Sequence, residues 1–313
     1  MATALLYLIT CLLLALAVAY AAEDTSATNQ NLGKTMLTAE KTTKDSCEKY
    51  CGSLLIPYPF GIGLNCSLNP FYSVTCDNST YTPPKAFLIS TNTTQNTSEI
   101  QIPRRVHEIV NITETVIHVR NRVIYQCPND TVKRLDKDGM ILPIDSPFVF
   151  SNVTNQVISV GCGFSNSFQG DVEIASSARC TKLDEVKAGN CTKNNGCDAE
   201  SFPQPVQEFN YSLSRPNPAA SIVRCGYGFI GDVNAFEFRG RVDTDDPAVF
   251  IDRIQKDVPL VIDWVIGNQT AYVRQNNTEC SDAGGGIAGY SCDCIRGFEG
   301  NPYLTPGCTG SSF

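Results

Sequence analysis

The sequence of 313 residues has little of the chemistry on which most catalytic and metal sites depend. It contains only two histidines, His107 and His118, so Cys191 and Cys197 lack the histidine partners of a mixed zinc site. The G-x-S-x-G turn that presents a hydrolase serine is missing, as is the alternating Asp/Asn loop, closed by Glu, that binds calcium. We therefore expect a protein that is not an enzyme and that uses no metal and no cofactor.

Long apolar runs are also missing after the first 22 residues. The most apolar later segment, 258–266, is short and contains Asp263, so it cannot span a bilayer. Residues 1–22 are almost wholly apolar and end on a small-x-small pattern, AYA, which predicts a cleaved secretory signal peptide. An uncleaved membrane anchor is the alternative, since roughly eighteen apolar residues approach spanning length. Residues 23–46 are polar and are predicted to form a disordered leader.

The chain also has no excess of basic residues over acidic ones. With 24 Lys and Arg against 32 Asp and Glu, the net charge is −8, which argues against a nucleic-acid partner. The charge is unevenly distributed. Residues 103–137 carry seven basic and four acidic side chains, for +3, whereas residues 138–313 carry twelve and twenty-one, for −9. An acidic ligand is therefore expected to bind the first of these segments.

Cysteine, in contrast, is abundant. Fifteen are present, and fourteen remain once Cys11 is removed with the signal peptide, an even number that allows seven disulfides. Disulfides persist in oxidising compartments, so the chain is predicted to be secreted. Sequence alone leaves the pairing open. The predicted disulfide cysteines are Cys47, Cys51, Cys66, Cys76, Cys127, Cys162, Cys180, Cys191, Cys197, Cys225, Cys280, Cys292, Cys294 and Cys308.

Asn-x-Ser/Thr sequons are frequent too, with eleven beyond the signal peptide. This number predicts a heavily glycosylated protein whose acceptor asparagines lie on the surface. Asn65 and Asn190 are weaker candidates because they adjoin Cys66 and Cys191, where disulfide formation competes with glycan transfer. The predicted glycosylation sites are Asn78, Asn92, Asn96, Asn111, Asn129, Asn152, Asn210, Asn268 and Asn276.

Short apolar segments separated by Pro, Gly, Asn and Asp predict a mainly β fold of short antiparallel strands with little helix. Residues 57–61, PYPFG, predict a rigid turn, and the aromatics Tyr58 and Phe60 are expected to fill a small core beside the disulfides. A helix is predicted at 172–183. The GYGFIG stretch at 226–231 matches a dinucleotide-binding fingerprint by letter, but its setting predicts a turn or bulge. The predicted strands are 86–89, 106–112, 115–125, 148–150, 155–163, 222–225 and 260–265.

Two stretches resemble known modules. Residues 47–76 contain Cys-x3-Cys-Gly, then IPYPFGIG, then two further cysteines, an order similar to the galacturonan-binding module of plant wall-associated receptor kinases. Residues 289–308, GYSCDCIRGFEGNPYLTPGC, resemble the epidermal-growth-factor-like (EGF-like) repeat that follows this module in the same receptors. The resemblance implies a disulfide-rich galacturonan-binding module at 47–163, the receptors' C-terminal module at 164–279 and a small, partial EGF-like repeat at 280–308.

The chain departs from this family in its cysteines. The family has a second cysteine soon after the position of Cys180 and a Cys-Cys pair where this chain has Cys197 and Asp198, so one family disulfide is expected to be absent. The EGF-like repeat keeps four cysteines where a complete repeat has six. The pairs implied for it are Cys294–Cys308 and Cys280–Cys292. We expect a secreted, receptor-like ectodomain that lacks the membrane span and the kinase.

The resemblance also implies non-catalytic binding of pectic galacturonan, or of oligogalacturonides, in the cell wall. Arg is suited to carboxylates, so the basic segment is where a polyuronate is expected to dock. On one strand, Arg120 and Arg122 would share a face with His118, although a solvated face explains this pattern at least equally well. Tyr58 and Tyr81 are the candidates for an aromatic platform. The predicted carbohydrate-binding residues are Arg104, Arg105, Arg120, Arg122, Lys133 and Arg134.

Two other functions stay open. One is a protein-interaction or decoy ectodomain of a wall-associated receptor, in which the acidic half and the EGF-like repeat bind a receptor ectodomain and the sugar site is vestigial. The other is a wall-acting glycoside hydrolase, which needs two convergent carboxylates. Asp257 and Asp263 are among the available acids, but 243–246 is better explained as a hydrophilic loop. The predicted location is extracellular or in the cell wall, with membrane anchoring only if the N-terminal segment is uncleaved.

Overall fold

The computed structural model describes residues 42–89, 106–127, 137–143, 145–170, 172–215, 223, 225–267, 275–283 and 287–310. These residues confirm the predicted mainly β fold, with many short strands, nearly all antiparallel, and little helix. The predicted signal peptide at 1–22 and most of the predicted leader lie outside the described residues. Within the described ranges, no helix is long and apolar enough to cross a membrane.

Strands and helices are numbered in chain order. The strands are β1 (Tyr50–Cys51), β2 (Leu54–Leu55), β3 (Gly61–Ile62), β4 (Ser73–Asp77), β5 (Lys85–Ile89), β6 (Val106–Ile112), β7 (Val116–Val119), β8 (Ile124–Gln126), β9 (Lys137–Ile141), β10 (Phe148–Phe150), β11 (Asn155–Val160), β12 (Phe164–Gln169), β13 (Glu173–Ala178), β14 (Cys197–Ser201), β15 (Glu208–Ser214), β16 (Gly226–Asp232), β17 (Leu260–Trp264), β18 (Ile266–Gly267), β19 (Thr278–Asp282), β20 (Gly289–Cys294), β21 (Phe298–Gly300) and β22 (Cys308–Gly310). The α-helices are α1 (Arg241–Asp245) and α2 (Pro247–Asp257), and single 3-10 turns lie at Pro70–Tyr72 and Leu183–Glu185.

The largest sheet has seven strands in the order β10-β17-β7-β6-β5-β4-β3. β17 comes late in the chain but lies between β10 and β7, where Ile262 is opposite both Phe150 and Ile117. Because β17 has neighbours on both sides, its side chains are almost wholly buried. This sheet contains strands from both sides of residue 163, where the sequence predicts a boundary between two modules. That boundary stays a prediction.

Two four-stranded sheets, β14-β11-β16-β8 and β13-β12-β15-β9, pack against each other. Ser159 of β11 donates to the Ser176 carbonyl of β13 at 2.9 Å, and the Asn166 amide of β12 donates to the Ile158 carbonyl of β11 at 3.2 Å. All four residues are fully buried. Since buried polar groups are costly unless they are bonded, these contacts hold the two sheets at one spacing.

The stretch 226–231 is not the predicted turn or bulge but most of the buried strand β16. Its glycines make room for the facing sheet. A Cβ atom on Gly226 would lie 2.1 Å from the Phe164 ring, and one on Gly228 would lie 2.8 Å from the Asn166 side chain. Glycine within a strand is typical of such close approach as well as of bulges, and only the packing distinguishes the two.

The predicted helix at 172–183 is also wrong. Strand β13 lies there and pairs with β12 along its whole length. Burial alternates with period two: Ser176 and Ala178 are buried, whereas Glu173 and Ala175 are exposed. Small residues have little β preference of their own, so pairing with β12 decides the conformation.

The predicted strand at 115–125 is two strands in different sheets. β7 ends at Val119 beside β17, and β8 begins at Ile124 beside β16. Between them Asn121 is 2% exposed and donates its side-chain amide to the Val258 carbonyl at 3.0 Å, which holds the crossover in place. The other predicted strands are confirmed within a few residues, except 222–225, which falls partly outside the described residues.

Seven disulfides connect the fourteen cysteines after Cys11, and they include both bonds implied for the EGF-like repeat. Most close short loops, but Cys127–Cys225 spans 98 residues and joins the end of β8 to the start of β16. A disulfide across so long a loop restricts the unfolded chain most strongly. The pairs are Cys47–Cys66, Cys51–Cys76, Cys127–Cys225, Cys162–Cys180, Cys191–Cys197, Cys280–Cys292 and Cys294–Cys308.

The turn at 57–61 places Phe60 in the core, as expected, with no exposed surface. Its ring centre lies 5.4 Å from that of Tyr72 and 5.2 Å from that of Trp264. The predicted EGF-like repeat packs on the same cluster, since the Tyr303 ring lies 5.9 Å from Trp264. One aromatic cluster therefore links the N-terminal turn, β17 and the C-terminal repeat.

The beginning of the described chain is held by the same repeat. The Asn301 amide donates to the Thr42 carbonyl at 2.9 Å and to the Tyr58 carbonyl at 2.6 Å. Thr43 is only 4% exposed. Residues 42–46, which the sequence assigns to a disordered leader, therefore contribute to the fold.

The sequence predicts a hydrophilic loop at 243–246, and this prediction is wrong. The stretch is the junction of α1 and α2. The Asp246 carboxylate accepts from the backbone N–H of Ala248 at 3.0 Å and of Val249 at 3.3 Å, which caps α2. Asp243 is buried and forms an ion pair with Arg253 of α2 at 2.6 Å. The acid tolerates burial because an arginine later in the chain compensates its charge.

Candidate functional site

Four of the six predicted carbohydrate-binding residues lie outside the described residues, namely Arg104, Arg105, Lys133 and Arg134. The other two, Arg120 and Arg122, follow the end of β7 instead of alternating along a strand. His118 does not extend them into a basic row. Burial lowers the pKa of His118, despite the nearby Asp232, so this side chain is neutral near pH 7.

Arg120 is engaged within the fold. Its guanidinium donates to the Glu108 carboxylate at 2.9 Å and to the Gln255 carbonyl at 3.1 Å. The Lys85 ammonium lies 3.1 Å from the same carboxylate. The Glu108 side chain is only 16% exposed, so this cluster of two cations and one anion is partly desolvated and ties together β5, β6 and the end of β7.

Glu108 makes a pH-dependent contribution to stability. Burial raises its pKa, but hydrogen bonds from Arg120 and Lys85 outweigh this and hold the pKa below its ordinary value of 4.5. The unfolded chain therefore binds a proton at Glu108 more tightly than the folded chain does. The stabilisation by ionised Glu108 is present above about pH 4.5 and is lost as the pH falls through the pKa of the folded state. We expect Glu108→Gln to lower the free energy of unfolding near neutral pH and to have a smaller effect near pH 3, where more of the carboxylate is protonated.

Urea unfolding of the parent and of Glu108→Gln at both pH values measures this effect. The matched control is Glu299→Gln, which makes the same change at an exposed position on β21 and is expected to alter stability by less than about 0.5 kcal/mol. An equal loss for Glu108→Gln at both pH values would contradict an electrostatic role for this carboxylate.

Arg122 pairs with Asp138, which belongs to the lining of a groove. Its guanidinium is 3.5 Å from Asp138, and the two side chains are 38% and 20% exposed. Its backbone carbonyl accepts a hydrogen bond from the Tyr211 hydroxyl at 3.1 Å. Burial raises the pKa of Tyr211, so this hydroxyl stays protonated and keeps donating. The backbone of Arg122 is thus held to β15 while part of its guanidinium is exposed.

The groove, of about 530 Å³, lies on the outer face of the sheet β13-β12-β15-β9. Its volume is in the range of small-molecule sites. Gln169 of β12, Asn210 of β15 and Gly139 of β9 are directly opposite one another across three strands. Gly139 has no side chain, which leaves space beside Asn210. The lining residues are Lys137, Asp138, Gly139, Gln169, Asn210, Tyr211 and Ser212.

The groove lining combines one cation with neutral polar groups. Lys137 is exposed and makes no ion pair within the described part of the chain, whereas the charge of Asp138 is offset by Arg122. Gln169, Asn210 and Ser212 supply amide and hydroxyl groups. This set suits a sugar acid, because lysine can pair with the carboxylate while amides and hydroxyls bond to ring hydroxyls.

Neither predicted aromatic platform lines the groove. Tyr58 is half-buried and packs against the main core, and Tyr81 is half-buried with the Lys85 ammonium 4.8 Å from its ring centre. Tyr211 does line the groove, but it is only 3% exposed. Recognition in this groove would therefore depend on polar contacts more than on stacking.

The predicted glycosylation sites that the structure describes are accessible. Asn78, Asn111, Asn210 and Asn276 are exposed, and Asn152 is half-buried. Exposure is a requirement for a glycan, so glycosylation stays a prediction at these positions. Four other sites lie outside the described residues: Asn92, Asn96, Asn129 and Asn268.

The described residues offer no cluster of metal ligands. Across the described ranges, no group of three or more His, Cys, Asp or Glu side chains is arranged to hold a metal ion. The Cys191 and Cys197 pair, considered as zinc ligands from the sequence, forms a disulfide. Those two sulfurs are therefore committed to a covalent bond instead of to a metal.

Comparison with known proteins identifies relatives over most of the chain. Wall-associated receptor kinase 2 of Arabidopsis thaliana is 27% identical over 285 residues, which cover 85% of this chain and 34% of that protein. Wall-associated receptor kinases 5 and 1 of the same plant are 27% and 23% identical over 284 residues each, with 85% and 84% of this chain covered. The chain spans 34% of the length of these curated relatives. No protein-family model matches the chain, and no solved structure matches it.

Proposed function

The chain is homologous to the wall-associated receptor kinases over about 85% of its length, and from this we propose that it is a receptor-like ectodomain that binds pectic galacturonan in the plant cell wall. The proposed activity is binding alone, with no chemical change to the polymer. Secretion by the signal peptide at 1–22 and heavy glycosylation belong to the same proposal. They agree with the seven disulfides, which form in oxidising compartments.

The observation that carries the proposal is the groove at the end of the basic segment 103–137. Lys137 is the last basic residue of that segment and lines the groove, whereas the charge of Asp138 in the lining is offset by Arg122. A polyuronate has one carboxylate on every sugar, so a sugar in the groove would place its carboxylate at Lys137 and its hydroxyls at Gln169 and Ser212.

A polymer longer than the groove would reach further basic residues. Arg104, Arg105, Lys133 and Arg134, which the sequence assigns to the site, are proposed to bind further carboxylates of the same polymer. Each such contact is weak, but linked contacts along one chain strengthen one another through effective concentration. Arg120 is proposed to support the fold more than the ligand, because its N–H groups are directed at Glu108 and Gln255.

Lys137→Gln tests the groove. With parent and variant both made without N-glycans, we expect about fivefold weaker retention on immobilised polygalacturonate at low salt, because removing one charge from an exposed ion pair costs ~1 kcal/mol. At about 1 M salt the Debye length is roughly 3 Å, so parent and variant should both bind weakly and the difference should vanish. Isothermal titration with oligogalacturonides, or elution from a polygalacturonate column, measures the effect.

The matched control is Lys187→Gln, which removes the same charge from an exposed lysine outside the groove. It is expected to bind as the parent does. Equal weakening by both substitutions would mean that binding follows net charge and not the groove. Arg104→Ala combined with Arg105→Ala tests the sequence-predicted contacts in the same assay, and is expected to weaken retention further.

A protein-interaction ectodomain is the second candidate. It is favoured by the ion pairs of Arg120 and Arg122, which reduce the charge available to a polyanion. In that case polygalacturonate would not retain the chain even at low salt. Release of reducing ends from pectin would instead indicate a hydrolase, although Asp243 is paired with Arg253 and is not available as a catalytic carboxylate.

A further inference from the structure

Asn210 is a sequon asparagine that lies inside the groove. It is exposed on β15, with Gln169 opposite on one side and Gly139 opposite on the other. Side chains on a strand stand roughly perpendicular to the sheet, so the Asn210 amide rises from the groove floor. Any group attached to its Nδ2 atom therefore begins within the groove.

The sequon Asn210-Tyr211-Ser212 supplies the acceptor for an N-glycan. The donor is an oligosaccharide linked to a lipid pyrophosphate. The C1–O bond of its first N-acetylglucosamine breaks, the pyrophosphate leaves with the electron pair, and C1 bonds to Nδ2, which loses one proton. Gln169, Ser212 and Lys137 line the groove around Asn210, so the first sugars of such a glycan would lie beside the groups that would otherwise meet the polymer.

We propose that the N-glycan on Asn210 occupies the groove and closes it to galacturonan, so that chains without this glycan are the ones that bind the polymer there. The inference rests on the proposed function, since it treats the groove as the polymer's site. A tethered ligand has an effective concentration in the millimolar range for a short link, so even weak contacts of its sugars with Gln169 and Ser212 compete strongly with a free polymer.

Asn78 offers a matched comparison. It is exposed in a turn that the Asp77 carboxylate closes by accepting from the N–H groups of Ser79 and Thr80, each at 2.9 Å. None of these residues lines the groove. A glycan at Asn78 therefore extends from a surface turn, whereas a glycan at Asn210 has polar walls on which to lie.

The first experiment uses the full chain secreted from a glycosylating host. Ser212→Ala removes the glycan at Asn210 but keeps the asparagine, and Thr80→Ala removes the glycan at Asn78. Because Ser212 also lines the groove, parent and Ser212→Ala are compared a second time after production under inhibition of N-glycosylation, and the retention of Ser212→Ala is corrected for the difference that its hydroxyl alone makes. We expect Ser212→Ala to raise retention on polygalacturonate about tenfold at low salt, which corresponds to ~1.4 kcal/mol, and Thr80→Ala to bind as the parent does. Peptide mass spectrometry reports the occupancy of both asparagines. An unoccupied Asn210 in the parent, or equal retention of parent and Ser212→Ala when Asn210 is occupied, overturns the proposal.

A second readout does not involve the polymer. A glycan lying in the groove should be released by peptide-N-glycosidase more slowly from Asn210 than from Asn78 in the native chain, and at equal rates after denaturation. Equal rates in the native chain would overturn the placement of the glycan. If Asn210 is protected but no variant binds polygalacturonate, the proposed function fails, and with it the competition for the groove.

Discussion

Arg253→Ala is expected to lower the free energy of unfolding by about 3–5 kcal/mol, because it leaves the Asp243 carboxylate buried without its partner. The two side chains are 9% and 3% exposed, and the guanidinium donates to Asp243 at 2.6 Å. It also donates to the Glu237 carbonyl at 3.2 Å and lies 5.8 Å and 5.5 Å from the ring centres of Phe236 and Phe250. Urea unfolding followed by circular dichroism measures the loss.

The same helix provides the control. Lys256 pairs with Asp252 one turn earlier at 2.8 Å, but these side chains are 62% and 61% exposed. Pairs of this kind contribute about 0.3–0.5 kcal/mol, so Lys256→Ala should have little effect. Similar losses of unfolding free energy for Arg253→Ala and Lys256→Ala would mean that burial of the Arg253–Asp243 pair does not increase its effect on stability. Replacing both buried partners by apolar residues, Arg253→Met with Asp243→Leu, should restore much of the stability.

Phe60→Ala is expected to cost about 3–5 kcal/mol, the usual range for removing a fully buried aromatic side chain. The Phe60 ring contacts three others, with centres 5.4 Å away at Tyr72, 6.2 Å at Phe148 and 5.2 Å at Trp264. Its loss leaves a cavity between the N-terminal turn and the seven-stranded sheet. Because Tyr303 of the predicted EGF-like repeat packs on Trp264, we expect the C-terminal segment 287–310 to loosen as well.

Trp264 is the only tryptophan of the chain, so its fluorescence reports directly on this cluster. Its emission in the folded Phe60→Ala variant should shift to longer wavelength as water approaches the ring. Leu64→Ala is the control, since Leu64 lies close in sequence but is 66% exposed, and its effect should stay within about 0.5 kcal/mol. If Phe60→Ala unfolds at the same denaturant concentration as Leu64→Ala, the aromatic cluster does not stabilise the fold as described.

Strands with runs of branched apolar residues could be predicted from the sequence. β6 and β17 are of this kind, and the PYPFG turn that ends at Gly61 is dictated locally by its prolines. The neighbours of each strand could not be predicted. β17 pairs with β7 although more than a hundred residues lie between them, and nothing local to either strand specifies that contact.

The candidate site was harder to predict than the strands. Charge counting identifies the basic segment, but it does not show that Glu108 on a neighbouring strand takes up the charge of Arg120. The groove brings together Lys137, Gln169 and Asn210 from three strands that only the folded sheet aligns. The sequence signal for it is limited to β15, where exposed polar residues alternate with buried apolar ones.

The position of β17 also affects how the protein must be made. A ribosome adds ~5–20 residues per second, so roughly 5–20 s pass between the synthesis of β10 and that of β17. During this time β7 and β10 have no strand between them, and their apolar edges are available to other chains. A chain truncated after residue 163 would lack β17, so the edges of β7 and β10 would stay uncovered. The largest sheet is therefore complete only once residue 264 has been synthesised.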